Sequence, residues 1–324
     1  MKKSFLFVLV LGVVSLPVLS SLAIGVEVSG KSYIEYKYDL TRNNEGNDEF
    51  AVTRVYLNFK EKVTDKIDFR ATTDIKAGSY EGKDNYLMVF IKYLYVTFND
   101  IYPDAKLRIG QTNRPWIGFE EKIWEHRWVS KVFADLEGKL SSTGRGVMLM
   151  GKVPQGYGDY AVAYINGAGY HTEESGEYSK DISVRLTLQP LSDKALKLNA
   201  LYYAGKYDTT GLADATKNRI VGMVSYQADR LTVAAEYLTS DDKGTKGAGG
   251  GGFGIFKATD RISPFIRYEI FDPKDDDEHT RIIVGVSYKL RKKVVAAIDY
   301  QSEDYKSSAM TDTAQLYLHM RINY

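Results

Sequence analysis

From Val26 onward the chain falls into segments of about ten residues in which apolar and polar side chains alternate, the period-two mark of strands with two unlike faces. The last segment is the clearest. Ala314, Leu316, Leu318, Met320, Ile322 and Tyr324 share one face, and Gln315, Tyr317, His319, Arg321 and Asn323 share the other. Ile182, Val184, Leu186 and Leu188 oppose Ser183, Arg185 and Thr187 in the same way, and Ile282, Val284, Val286 and Tyr288 oppose Arg281, Gly285 and Ser287. Sixteen segments follow the pattern, with cores at 26–40, 50–63, 66–79, 86–99, 105–115, 144–153, 158–170, 178–190, 195–207, 218–228, 231–240, 252–259, 261–272, 279–291, 293–304 and 312–324.

The connections alternate in length. Short turns such as TDK (64–66), PQGY (154–157) and SDKA (192–195) take turns with long polar loops such as RNNEGNDE, HTEESGE and DTTGLADATK. That meander predicts an all-β fold: a sixteen-stranded antiparallel up-and-down barrel, with short turns at one rim and long loops at the other. The polar faces carry too many charges for a packed interior. The apolar faces therefore need lipid, since a soluble sandwich would have to bury all of them in one core. A barrel of this size encloses water.

One stretch breaks the alternation. Between Gly110 and Gly146 the chain places all three tryptophans among many charged residues. Residues 116–143 read as the third long-side loop, too aromatic for disorder and long enough to be functional. Trp124, Trp128 and Val132 recur at i, i+4, so residues 120–133 predict a short amphipathic helix resting on an inner wall. Its other face presents Glu121, Lys122, Glu125, Arg127 and Lys131 to water. Folded into the lumen, this loop would narrow the barrel.

The N-terminus is of another kind. MKKSFLFVLVLGVVSLPVLSSLAIG joins two lysines, an apolar run broken at Pro17, and small residues at Ser21 and Ala23. It reads as a signal peptide, residues 1–23, leaving a barrel at 24–324. Cleavage removes Lys2 and Lys3, so 43 basic residues lose two, 42 acidic residues lose none, and the mature chain is nearly neutral. Nucleic acid is not an expected partner on that balance. Cysteine is absent, which excludes disulfides, thiol catalysis and cysteine metal sites.

Against this pattern stands a family resemblance. The runs GQTNRPWIGFEE, HRW, DLEGKLSSTGRGVMLMGK and DYAVAYINGAGY, within about residues 108–170, resemble the phosphate-selective porin O and P group of outer-membrane porins. The resemblance implies passive diffusion of small hydrophilic solutes through a trimeric channel of the bacterial outer membrane, in contact with lipid and lipopolysaccharide. It also implies that the aromatic C-terminal residue, here Tyr324, is read by the barrel-assembly machinery. The chain departs from the group where Asn113 replaces a lysine often found two residues before the proline, and it has no dense run of basic residues in the loop.

Taken as lumen-facing, the polar strand faces supply Arg54, Arg70, Arg108, Arg185, Arg219, Arg267, Arg281 and Arg321, with Lys60, Lys76 and Lys92. Fewer acids share those faces: Glu27, Glu35, Asp68, Asp74, Glu236, Glu269 and Asp299. Charge rings set ion preference, so a weak anion preference is expected, unless the charges cancel as local pairs. The candidate constriction is Arg114, Glu120, Glu121, Glu125, Arg127, Lys131 and Arg145. The other reading is a structural or partner-binding barrel plugged by its own loop.

Tyr36, Tyr38, Tyr93, Tyr95, Tyr226, Tyr237, Tyr268, Tyr288 and Tyr300 are expected on lipid faces near strand ends, as an interfacial girdle. His126, His171, His279 and His319 are scattered without metal spacing, the last expected in the lumen and His171 and His279 in loops. No cofactor, metal or catalytic motif is expected. GAGGGGFG (247–254) lacks the ending of a phosphate loop and reads as a flexible loop entering a strand, and DDDE (275–278) as a solvated acidic loop.

Overall fold

The structure, a computed structural model, describes residues 25–324 except 43, 81–82, 168–179, 208–215, 275–277 and 308. The predicted signal peptide, His171 and most of DDDE lie outside the described residues. Sixteen strands form one closed antiparallel barrel in which each pairs with its sequence neighbours. They are β1 (Glu27–Asp39), β2 (Asp48–Thr64), β3 (Ile67–Tyr80), β4 (Lys83–Tyr102), β5 (Ala105–Asn113), β6 (Thr143–Val153), β7 (Gly158–Asn166) and β8 (Lys180–Leu188). Then come β9 (Leu196–Lys206), β10 (Thr216–Gln227), β11 (Leu231–Asp242), β12 (Thr245–Phe256), β13 (Ile262–Asp272), β14 (His279–Arg291), β15 (Val294–Tyr305) and β16 (Thr313–Asn323).

The ends of the chain close the barrel. β1 and β16 pair from Lys31 opposite Asn323 to Asp39 opposite Gln315, and Gly30 exchanges backbone hydrogen bonds with Tyr324. The Tyr324 ring lies where a Cβ on residue 30 would stand, so glycine is what lets the last ring fold over the first strand. Closure leaves no free sheet edge, which a barrel in lipid requires.

Alternation sorts the side chains as the sequence predicts on β8, where Ile182, Val184, Leu186 and Leu188 are exposed while Ser183, Arg185 and Thr187 are buried. Tyr226, Tyr237, Tyr268 and Tyr288 are exposed in the same way. Tyr95 is not: it is buried, with the Arg108 guanidinium 4.7 Å from its ring centroid. Tyr93 likewise carries Arg70 at 4.8 Å and Lys92 at 5.8 Å. A bulge causes this, because the register shifts where Thr72 and Thr73 meet Tyr93 and Ile91, and Lys92 is left without a partner. His279 opens β14 instead of ending a loop.

The glycine run departs most from expectation. Residues 247–254 are not a loop but the middle of β12, entered by a two-residue hairpin in which Lys243 (φ 55°) and Gly244 (φ 88°) take the left-handed conformation. Gly249 lies between Leu238 and Phe271 of the flanking strands, and Gly251 between Glu236 and Glu269. A Cβ at Gly251 would meet the Tyr268 carbonyl oxygen and stand 2.9 Å from Glu269 Cγ. The run keeps one strip of wall bare and the neighbouring strands close. Gly251→Ala should destabilise the barrel by about 1–3 kcal/mol through overpacking, lowering its urea midpoint. Gly254→Ala, whose Cβ would meet nothing nearer than 3.8 Å, should leave that midpoint unchanged.

Candidate functional site

The segment from Arg114 to Ser142 joins β5 to β6 and holds two short helices, α1 (Ile117–Trp124) and α2 (Phe133–Leu136). The single helix predicted for 120–133 is broken, because Glu125 turns left-handed (φ 57°) and ends α1 with its N–H on the Glu121 carbonyl. The turn gathers the apolar residues on one side all the same. Trp116, Ile117, Ile123, Trp124, Trp128, Val132 and Phe133 are all at most 4% exposed.

They are buried against strand side chains that the alternation had marked as the polar face. On β9 to β14 that face is largely apolar, with Leu201, Val221, Leu238, Phe253, Phe265, Phe271 and Ile283 in one cluster with the segment. Trp124 meets Phe253 and Phe265 ring to ring, with centroids at 5.0 and 6.0 Å. Phe133 meets Phe271 at 6.0 Å, and Trp128 stands edge-on to His319 at 6.3 Å. Seven such side chains withdrawn from water supply on the order of 10–20 kcal/mol toward docking, before the entropy of ordering the segment is set against it.

Polar contacts fix the register of this seat. Arg267 Nη1 donates to the Lys131 carbonyl (2.6 Å), and Arg219 Nε donates to the Lys139 carbonyl (3.0 Å). His279 and Arg281 both reach Glu137, at 3.2 and 3.0 Å. Burial would raise the Glu137 carboxyl, but His279 and Arg281 outweigh it and hold it below the usual range. His126 is buried, Nδ1 donating to the Trp124 carbonyl (3.1 Å) with Nε2 3.1 Å from Ser287 Oγ. Burial pushes its imidazole down to about 4.

The predicted constriction residues divide. Glu121 and Arg127 form an ion pair at 2.9 Å, Lys131 lies 3.9 Å from Asp135, and Glu125 is exposed. Glu120 does not join them. It is 1% exposed and accepts a hydrogen bond from Trp116 Nε1 (2.8 Å), turned into the docked side of α1; burial raises its carboxyl. Arg114 is buried too. It donates to the carbonyls of Thr143 (3.2 Å) and Asn166 (3.1 Å) and to Tyr203 Oη (3.0 Å), and lies 3.6 Å from buried Asp181. It clamps the base of the segment. Arg145 donates to Gln111 Oε1 (2.9 Å) beside that base.

The predicted lumen arginines also divide, by the arc of wall they occupy. Under the segment each has a carboxylate: Arg185 with Asp159 (2.5 Å), Arg219 with Asp242, Arg267 with Glu269, and Arg281 with Glu269 (2.9 Å) and Glu303 (2.7 Å). Arg185, Arg219 and Arg267 are buried, so they are not a ring facing water. Arg54 pairs with Asp74. Arg70 and Arg108 instead bond neutral groups, Asn58 (2.8 Å) and Asn113 (2.5 Å), and lie over Tyr93 and Tyr95. Lys92 lies over Tyr56 at 4.7 Å. Arg321 reaches the Glu125 carbonyl and the Trp128 ring.

No family model matches the chain, and no curated protein is significantly similar in sequence. Solved structures are similar in shape. An OmpF of Salmonella typhi, in complex with daunomycin, matches with a TM-score of 0.68 at 12% identity, over 92% of this chain and 97% of that one. The fold is that of the outer-membrane porins. An anion-selective porin from Comamonas acidovorans follows at 0.65 and 11%, over 92% and 99% of the two chains. OprB of Pseudomonas putida matches at 0.65 and 9%, over 92% and 94%. At these identities the likeness is one of fold.

His126 sets a pH limit on the seat. Its docked imidazole titrates near 4, below the free value of about 6.5. Docking is therefore at full strength above about pH 6.5 and loses up to about 3 kcal/mol as pH falls toward 4. Amide exchange across residues 117–136 should accelerate between pH 7 and pH 4.5. His126→Gln should remove that part of the pH dependence.

Proposed function

We propose that the protein is an outer-membrane porin: a passive diffusion channel for small hydrophilic solutes and ions, with a weak preference for anions. The observation that carries this reading is one-sided docking inside a closed sixteen-stranded barrel. Segment 116–143 packs in one cluster with side chains of β9 to β16 and Tyr33 of β1, Tyr56 of β2 marking its edge, and most of the arc from β2 to β5 lies across from it with Arg70, Lys92 and Arg108 left without a carboxylate partner among the described residues. A plug would engage both walls. In this reading the segment is folded into the lumen, and water passes between it and the β2–β5 arc.

Charged groups face each other across that gap. Glu121, Arg127, Lys131 and Asp135 stand on the segment, and Arg54, Arg70 and Lys92 on the wall. Because the arginines under the segment are neutralised by carboxylates, the arginines left uncompensated are Arg70 and Arg108 of the free wall, which favours anions. Placement near the phosphate-selective group rests on residues 108–170. Phosphate selectivity itself has less behind it, since Arg114, the basic residue at the family's motif, is spent on clamping the segment. The reading also takes the chain as a homotrimer, exported by cleavage after residue 23 and recognised for assembly at Tyr324.

Purified protein in planar bilayers should conduct in groups of three equal steps, with a reversal potential in a potassium chloride gradient of the sign set by chloride. Arg70→Gln combined with Lys92→Gln should bring that potential toward zero while conduction persists. Silence would sink the channel and favour a plugged, partner-binding barrel.

A further inference from the structure

At the short-turn end of the barrel, beside α1, lies a cavity of about 760 Å3 under Trp128 and a second of about 690 Å3 under Phe119. The second has an unusual make-up. Its rim carries Lys106, Arg108, Lys122, Lys152, Arg185 and Lys197, set against Asp104 and Asp159. Asp159 is already taken by Arg185. Arg108 is bonded to Asn113 and Lys197 to Gln227 Oε1 (2.7 Å), both neutral. Lys106, Lys122 and Lys152 have no carboxylate partner among the described residues. A concave surface with this surplus focuses positive potential.

The floor is apolar. Its accessible apolar surface comes from half-buried Phe119, Met150 and Tyr160, backed by fully buried Met148 and Ile123. Phe119 of α1 lies beside it, with the Arg185 guanidinium 4.2 Å from its ring centroid. Inorganic ions gain nothing from such a floor, and a neutral apolar molecule gains nothing from the rim. A molecule with both parts gains twice, and the volume falls in the range of sites that enclose small organic ligands.

We propose that this cavity is a binding site for organic anions with an apolar body, a carboxylate on an aromatic or short aliphatic skeleton, the body on Met150 and Phe119 and the carboxylate among Lys106, Lys122 and Lys152. The proposal names a solute class for the channel proposed above and rests on that reading for its physiological sense, while the binding itself does not.

Calorimetry on the detergent-solubilised barrel, with 3-phenylpropanoate as probe, tests it. Phenylpropanoate should bind at least about tenfold more tightly than acetate, inorganic phosphate or 3-phenylpropan-1-ol. Replacing Lys106, Lys122 and Lys152 together by Gln should weaken it about tenfold, and replacing Lys257, Lys289 and Lys292 of the other cavity should not. Equal affinity for acetate, phosphate and phenylpropanoate would overturn the proposal in favour of a merely electrostatic mouth. Equal affinity for the alcohol, or a loss confined to the other cavity's variant, would overturn it as well. Conductance of the same preparation in potassium chloride, without probe, reports on the channel alone. A silent barrel that still binds phenylpropanoate keeps the site and loses the channel.

Discussion

The arrangement depends on one apolar contact: the tryptophan-rich side of segment 116–143 seated on the arc from β9 to β14. A wide barrel cannot fill itself with its own side chains, so its lining should be polar throughout. Here one arc of lining is apolar, and it is apolar where the segment covers it. Phe253, Phe265 and Phe271 would otherwise face water, and Trp116, Trp124 and Phe133 would have nothing to dock on. Each half explains the other. The bare strip along β12 belongs to the same contact, since side chains at 249 and 251 would stand between Leu238 and Phe271 or crowd Glu269.

The contact also sorts the charges. Beneath the segment a guanidinium is withdrawn from water, and an unpaired buried charge costs several kcal/mol. Arg219 and Arg267 accordingly lie against carboxylates and cap backbone carbonyls of the segment itself. Arg70 and Arg108, across from the segment, are only half-buried and make do with amides and aromatic faces, while Lys92 is buried against the Tyr56 hydroxyl and ring. Electrostatic asymmetry thus follows from where water was excluded, without any excess of basic residues in the chain as a whole.

The sequence made the barrel legible because period-two alternation reports directly on which side chains share a face. That is a local property, and β8 and β16 display it without exception over their central residues. What covers a face is not local. Leu201, Val221 and Ile283 sit at inner positions that the same alternation marks for water, and only a segment from elsewhere in the chain changes their meaning. Glu120 obeys the same rule: its neighbour Glu121 pairs with Arg127, and one step around α1 carries Glu120 into the docked side with Trp116. Glycine has no side chain to alternate, so the β12 run carries no strand pattern in the sequence. A bulge leaves no mark on the alternation either, so Tyr93 and Tyr95 fall on the lipid face by pattern while in the structure they carry Arg70 and Arg108.

The break at Glu125 shows how these levels join. A continuous helix through residue 133 would present side chains on one straight stripe, whereas the arc it must cover curves around the barrel from β9 to β16. Ending α1 with a left-handed residue lets the chain turn, so that Trp124 reaches Phe253 and Phe265 while Trp128 reaches His319 and Arg321 farther around the wall. Left-handed backbone at a glutamate costs on the order of 1 kcal/mol. The burial of a second tryptophan exceeds that cost, and the turn leaves Glu125 exposed and Glu121 bonded to Arg127 on the side that the proposed solute path would follow. The left-handed residue at Glu125 is thus a consequence of the curvature of the arc on which the two tryptophans dock.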